Sequence, residues 1–138
     1  MKASAFAGLV VAAIEAIVPV NVVHPGDVFH GVVDDEPPQA VDRAFCVSVS
    51  LPYRALEAPT IAHLEFLLDF TVIVSYVDSP EMGPRVMDDA ELIVDALYAL
   101  IDGTNVYKVT VQPGQLLAGR VEGTVEAQFA AQAQYQRD

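Results

Sequence analysis

Two imidazoles and a carboxylate lie close together near the start of the chain, at His24, Asp27 and His30. Zinc in proteins is held by three or four converging ligands, and this spacing across the turn Pro25-Gly26 matches none of the standard frames. A solvated turn is therefore favoured over a metal site. A small-molecule-binding or enzymatic α+β domain that uses these three residues remains open as an alternative.

Two groups of acidic residues are further candidates for chemistry. The run Asp34-Asp35-Glu36 precedes Pro37-Pro38, whereas a calcium loop needs spaced oxygens and a glycine bend, so a solvated acidic loop is expected. Asp88 and Asp89 could form an acid–base pair. Their predicted place at a helix start is explained by capping and by the helix dipole.

Signals of nucleophilic or cofactor chemistry are missing from the sequence. The nucleophile elbow, the phosphate-binding loop and the dinucleotide fingerprint are all absent, and Ser48 and Ser50 belong to a predicted strand without a nearby histidine. Cys46, the single cysteine, is predicted to be a buried, inert thiol. We expect no catalytic residue, no metal and no cofactor, and therefore not an enzyme.

The composition predicts one folded, acidic domain over residues 1–138. The 138 residues include 19 Asp and Glu against 7 Lys and Arg, a net charge of −12, and 53% are hydrophobic, which is too apolar for disorder. The negative charge repels phosphate and anionic lipid. Adhesion to nucleic acid through a basic patch is therefore excluded, and no membrane contact is expected.

Apolar residues recur at helical spacing near the beginning and predict an amphipathic helix over 3–17. The segment resembles the apolar part of a signal peptide, but Glu15 interrupts it and no small-x-small cleavage site follows. We expect it to remain part of the fold. It is too short to span a bilayer.

A second helix is predicted to begin near Asp88, with Glu91 completing a capping box, and to end at Asp102-Gly103. The segment 78–87 before it reads as a turn-rich loop. The predicted strands are 20–24, 44–50, 64–76, 105–111 and 121–135, with at most one short edge strand in the exposed loop 28–42 and a second loop at 53–61.

The alternation over 121–135 would extend roughly 50 Å, whereas a globule of this length is only about 37 Å across. The strand must bend, break or project, and its apolar face becomes alanine-rich toward the end. We expect the last part to rest on a neighbouring subunit or to be exposed. The fold class is therefore predicted as α+β, a mostly antiparallel sheet with two helices on one face and long strands that extend to subunit contacts.

Candidate contact residues follow from these positions. Four arginines lie at loop or strand ends of an acidic chain and could face acidic loops of another copy, although plain surface solubility explains each of them equally well. Two methionines belong to the loop 78–87, and two aromatic residues belong to the last strand. The predicted interface residues are Arg43, Arg54, Met82, Arg85, Met87, Arg120, Phe129 and Tyr135.

Three elements carry a resemblance to a known family: the strand Arg43-Ala44-Phe45-Cys46-Val47-Ser48-Val49, the long strand over 65–77, and the helix that contains Asp88-Asp89-Ala90-Glu91-Leu92-Ile93-Val94-Asp95-Ala96-Leu97. In their order along the chain, the predicted elements resemble the tail terminator proteins of long-tailed bacteriophages and phage-like particles. The resemblance covers nearly the whole chain and is one of pattern and size, because this family has no diagnostic motif.

The resemblance implies a structural virion protein that forms a hexameric ring on the tail tube, stops tube polymerisation and joins the tail to the head-side connector. Its partners would be further copies of itself, the tail tube protein and a connector or neck protein, with DNA only passing through the ring. Assembly would take place in the cytoplasm of the host bacterium and the product would reside in the virion. Another neck or head–tail joining protein is the alternative within this class.

Overall fold

The computed structural model describes residues 1–20, 28–38, 42–54 and 65–137. The elements in chain order are α1 (Ala3–Glu15), β1 (His30–Val33), β2 (Ala44–Val49), β3 (Glu65–Val77), α2 (Met82–Tyr98), β4 (Val106–Val111), β5 (Gln115–Ala118) and β6 (Thr124–Gln136). The predicted strand 20–24 and most of the predicted loop 53–61 lie outside the described residues.

The six described strands form one sheet in the order β1-β2-β3-β6-β4, and β5 pairs with β6 beyond the end of β4. All pairs are antiparallel except β1 with β2. Both helices pack on the same face, where Phe6 of α1 meets the Phe70 ring and Asp89 of α2 meets Tyr76. The α+β prediction is confirmed.

The two long strands support each other over their full length. β3 and β6 have 13 residues each and pair in unbroken register from Glu65 with Gln136 to Val77 with Thr124. Residues at every second position of both strands face the helices, as the alternation predicted. This mutual pairing lets a long strand exist inside a small protein, because its backbone groups are bonded along the whole length.

The expectation that the end of β6 rests on a neighbouring subunit or is exposed is wrong. Ala133 and Tyr135 are buried, and the rings of Phe6 and Tyr135 stack with their centroids 6.0 Å apart. The amino group of Met1 donates a hydrogen bond of 3.0 Å to the carbonyl oxygen of Gln136. Helix α1 thus supplies the bulk that the small alanine side chains lack.

Helix α1 confirms the predicted amphipathic helix. Phe6, Val10 and Ile14 are fully buried on one side, while Leu9 is 44% exposed on another. Among the described residues, no helix is long and apolar enough to cross a membrane.

Helix α2 begins at Met82, six residues before the predicted start at Asp88. Pro84 lies in its first turn, where the missing N–H of proline has no helical acceptor to lose, so this proline does not end the helix. No side chain caps the N-terminus. The prediction that Asp88 caps the helix with Glu91 is therefore wrong, and both residues belong to its interior.

The predicted helix end at Asp102-Gly103 is also wrong, because α2 ends at Tyr98. The carboxylate of Asp102 instead accepts hydrogen bonds from the backbone N–H groups of Thr104, Asn105 and Val106, at 2.7–2.9 Å. These three hydrogen bonds lower the pKa of Asp102, and the bond from Val106 has the largest effect. Gly103 adopts a φ of 74°, so its conformational freedom serves the turn into β4 and not a helix cap.

Two short strands were only partly foreseen. β1 is the short edge strand that the loop 28–42 allowed, whereas β5 was not predicted. β4 pairs with the second half of β6, and β5 pairs with its first half. Residues 112–114 connect β4 to β5. A segment of four residues carries too little periodicity to be recognised, and its pairing with β6 is the only reason that it is a strand.

Candidate functional site

An apolar groove lies between α2 and the strands β5 and β6, with a volume of about 550 Å³. Ala127 and Phe129 of β6 contribute to its apolar lining, and their positions in the register direct them toward the helices. Met87 of α2 and Leu116 of β5 also line the groove, and these side chains are 72% and 51% exposed. The groove is therefore an apolar surface in contact with solvent, which is typical of an interaction site.

The way α2 packs explains why the groove exists. Ile93 and Leu97 of α2 are fully buried in the core, while Val86, Ala90 and Val94 are only half-buried and face the groove. The apolar stripe of this helix is thus wider than the core that it covers.

The loop before β5 runs close to the floor of the groove. A side chain at Gly114 would place its Cβ 2.8 Å from the Phe129 ring, so glycine is needed there. The close approach places the turn before β5 directly against the Phe129 ring.

The outer edge of β5 is open. Gly119 donates its backbone N–H to the Thr124 carbonyl oxygen at 2.9 Å. In an antiparallel ladder every second residue of a strand is bonded to the same neighbouring strand. Counting back from Gly119 in steps of two, Leu117 and Gln115 are bonded to β6. The N–H and C=O groups of Leu116 and Ala118 therefore point away from β6. Within the described residues, β5 pairs with no other strand.

Arg43, Asp89 and Tyr76 form a buried network beneath the middle of α2. The guanidinium of Arg43 donates to both carboxylate oxygens of Asp89, at 2.8 and 3.2 Å, and the Tyr76 hydroxyl donates to Oδ2 at 3.0 Å. All three side chains are buried. Burial, with the Asp89 carboxylate adding to it, raises the pKa of Tyr76 strongly. The network ties the start of β2 and the end of β3 to α2, and it gives a solvent-borne substrate no access.

This network corrects two predictions. Arg43 is not an exposed contact for another copy, since it is fully buried and lies over the Phe29 ring at 5.8 Å. Asp88 and Asp89 are not a capping pair, since Asp88 is exposed while Asp89 is a buried partner of Arg43. Arg43 also adopts a φ of 59°, which is unusual for a residue with a side chain.

Two more predicted contact arginines are bound within their own chain. Arg85 forms an ion pair with Asp42. Arg120 donates from its guanidinium to the Asp35 carbonyl oxygen at 2.6 Å, and its backbone N–H donates to the Glu126 carboxylate at 3.0 Å. The acidic partners expected on another copy are thus supplied for these arginines by the same subunit.

The remaining predicted contact residues divide by exposure. Phe129 and Tyr135 are buried on the helix-facing side, and Phe129 contributes to the lining of the groove, so their contact with a partner stays a prediction. Met82 is half-buried against the core. Arg54 is exposed over the Phe66 ring at 5.5 Å and, like Met87, stays a prediction.

Cys46 lies on the opposite face of the sheet, where the loop after β1 and the turn before β6 cover it. The thiol is buried, which raises its pKa from 9.0 to about 11, even though Arg120 acts in the other direction. Because the folded pKa is the higher one, this thiol contributes stability below about pH 9 that is lost as the pH rises toward 11.

The raised pKa of Cys46 predicts slow thiol modification. At pH 8 the folded protein would hold about a hundredth of the thiolate of the unfolded chain, so Ellman's reagent should react about 100-fold more slowly without denaturant than in guanidinium chloride. Absorbance of the released thiolate measures both rates. Equal rates would contradict the buried, protonated thiol.

The residues first considered for chemistry are only partly described. His24 and Asp27 lie outside the described residues, and His30 is exposed at the start of β1. Among the residues that the structure describes, no group of three or more His, Cys, Asp or Glu side chains is arranged to hold a metal.

The uncovered part of the opposite sheet face carries a polar cluster. Asp69 accepts hydrogen bonds from the Tyr53 hydroxyl at 3.1 Å and from the Gln132 amide at 3.0 Å. All three residues are exposed. In this cluster the Asp69 carboxylate contacts the Tyr53 phenol and the Gln132 amide, and these contacts do not pair a nucleophile with a base. The cluster can form hydrogen bonds with a partner, and its arrangement indicates no particular reaction.

The groove beside β5 is therefore the described surface with the clearest capacity to bind something, and sequence analysis missed it apart from Met87 and Phe129. The exposed leucines of the segment 115–118 were the available signal. No protein-family model matches this chain, and the search of curated proteins found no similar sequence.

Proposed function

We propose that this protein is a structural assembly protein of the tail terminator kind, which forms a ring on the end of a phage tail tube. The observation that carries the proposal is the open apolar groove beside the free edge of β5. Exposed apolar surface and unpaired strand edges are unfavourable in an isolated protein and are covered on association. The protein thus acts by binding and not by chemistry.

In this function, copies of the chain associate as a hexameric ring, the tail tube protein lies on one side and the head-side connector lies on the other. The ring ends tube polymerisation because it occupies the last set of tube contacts. The net charge of −12 supports a ring through which DNA passes without adhering. The place of action is the neck of the virion, after assembly in the bacterial cytoplasm.

Negative-stain imaging and analytical ultracentrifugation test the proposal. The purified protein is examined alone and with the tail tube protein encoded near it in the source genome. We expect six-fold rings or association that increases with concentration, and tubes with capped ends in the mixture. A mass that stays at the monomer value of 14.8 kDa, even with tube protein present, would contradict the proposal.

A triple variant separates this proposal from the alternative enzyme. Replacing His24, Asp27 and His30 with alanine is expected to leave assembly unchanged, because His30 is not among the described residues that line the proposed binding surface. Loss of assembly in a variant that still folds, as measured by circular dichroism, would argue against the groove as the functional surface.

A further inference from the structure

We infer that the groove and the free edge of β5 bind an extended segment of another protein, which adds as a strand beside β5 and carries apolar residues flanked by lysine or arginine. This inference rests on the proposed function, because it identifies the kind of partner segment that the assembly surface takes. Three features of the described residues carry it: backbone groups, shape and charge.

The backbone of β5 offers a short template for strand addition. Leu116 and Ala118 each present one N–H and one C=O group on the side opposite β6, and no described residue bonds to them. An added strand can pair with these groups, which is the usual mode of recognition at an open sheet edge. Their hydrogen bonds fix the direction and register of the added segment.

The groove lies where side chains of such a strand would point. Directly opposite residues on neighbouring strands have Cβ atoms about 5 Å apart and point to the same face. Leu116 of β5 is paired with Ala127 of β6, and both side chains lie on the same face of the sheet and line the groove. The side chain of an added residue opposite Leu116 would therefore enter the groove. The volume of about 550 Å³ is large enough for more than one apolar side chain.

The charge of the groove selects the flanking residues. Among the described residues that line the groove, Glu91 and Asp95 are the charged ones. Both are exposed, and none of these lining residues is a lysine or arginine. A segment with lysine or arginine beside its apolar residues complements this surface. A second copy of this chain is a poorer match, because its own net charge is −12 and its edge strand β1 continues into Asp34-Asp35-Glu36. The charge of the groove therefore favours a different protein as the occupant.

Peptide binding to the whole protein tests the inference. The probe is a fluorescein-labelled synthetic peptide in which valine and threonine alternate and two lysines flank each end. Fluorescence anisotropy gives its dissociation constant and that of a counterpart with glutamate in place of lysine. We expect the lysine peptide to bind at least about tenfold more tightly, from charge complementarity at the rim. Equal affinities, or no binding of the lysine peptide, would overturn the inference.

Two controls distinguish strand addition from simple charge attraction to an acidic protein. The first is the lysine peptide with methylated amides along its pairing edge, which keeps the charge and loses the backbone donors. The second compares Leu116→Gln with Leu117→Gln, neighbouring exposed positions on opposite faces of β5. We expect the methylated peptide and the Leu116 variant each to weaken binding about tenfold and the Leu117 variant to change it less than about twofold. Equal effects of the two variants, or full binding of the methylated peptide, would refute strand addition.

The outcome is separable from that of the proposed function. If rings and capped tubes form while the lysine peptide does not bind, the inference about the partner segment fails and the assembly function stands. If the peptide binds as described while no ring or capped tube forms, the binding surface stands and the tail terminator function fails.

Discussion

Replacing Asp89 with alanine is expected to destabilise the folded protein by about 3–5 kcal/mol, since it breaks the buried ion pair between the Asp89 carboxylate and the Arg43 guanidinium. The Tyr76 hydroxyl loses its acceptor in the same variant. A domain of this size has a total stability of only about 5–15 kcal/mol, so the expected loss is a large fraction of it. Urea unfolding followed by far-ultraviolet circular dichroism measures the change, because the chain has no tryptophan.

Asp88→Ala is the matched control for this prediction. Asp88 has the same chemistry and the same helix, but its side chain is exposed and forms no ion pair within the described residues. We expect its replacement to change the free energy of unfolding by less than about 0.5 kcal/mol. Similar losses in the two variants would show that helix electrostatics, and not the buried pair, accounts for the effect of Asp89.

Phe6→Ala is expected to cost about 3–5 kcal/mol, the usual range for removing a buried phenylalanine ring from a core. The Phe6 ring is fully buried and contacts the rings of Phe70 and Tyr135, at centroid distances of 5.6 and 6.0 Å. Its loss leaves a cavity over the end of β6, where the buried side chains of Ala131 and Ala133 are small. The same urea titration measures the effect.

Leu9→Ala serves as the control for α1, because Leu9 lies on the same helix and is 44% exposed. We expect it to cost less than about 1 kcal/mol. If Phe6→Ala has no greater effect than Leu9→Ala, then α1 does not contribute to the core. The observed burial instead makes α1 part of the fold.

The proposed ring and the inferred partner strand involve different contacts of the same protein. The ring requires contacts between copies of the chain, whereas the groove beside β5 is suited to a segment with the opposite charge. Three of the four arginines that sequence analysis assigned to subunit contacts, Arg43, Arg85 and Arg120, have acidic or carbonyl partners in their own chain. Met87 remains as a predicted contact residue and lies at the groove.

The sequence by itself determined the elements whose hydrophobic period is long enough to recognise. Helix α1 and the paired strands β3 and β6 follow from local periodicity, because burial of one face imposes a repeat on 13 residues in each. Strands β2 and β4 follow from their short runs of apolar and β-branched residues. The α+β class follows from their order. The net charge of −12 likewise follows from the sequence, since charge is additive along the chain, whereas the fold decides where the charges lie.

Only the tertiary structure decided which polar residues are internal and where the binding surface lies. Asp88 and Asp89 are equivalent in sequence, yet only Asp89 meets Arg43, because that pairing joins residues 46 positions apart. Strand β5 exists through its pairing with β6, and the groove exists because α2 and β5 approach without closing over Phe129. These features arise from contacts between distant segments, and no local pattern of residues encodes them.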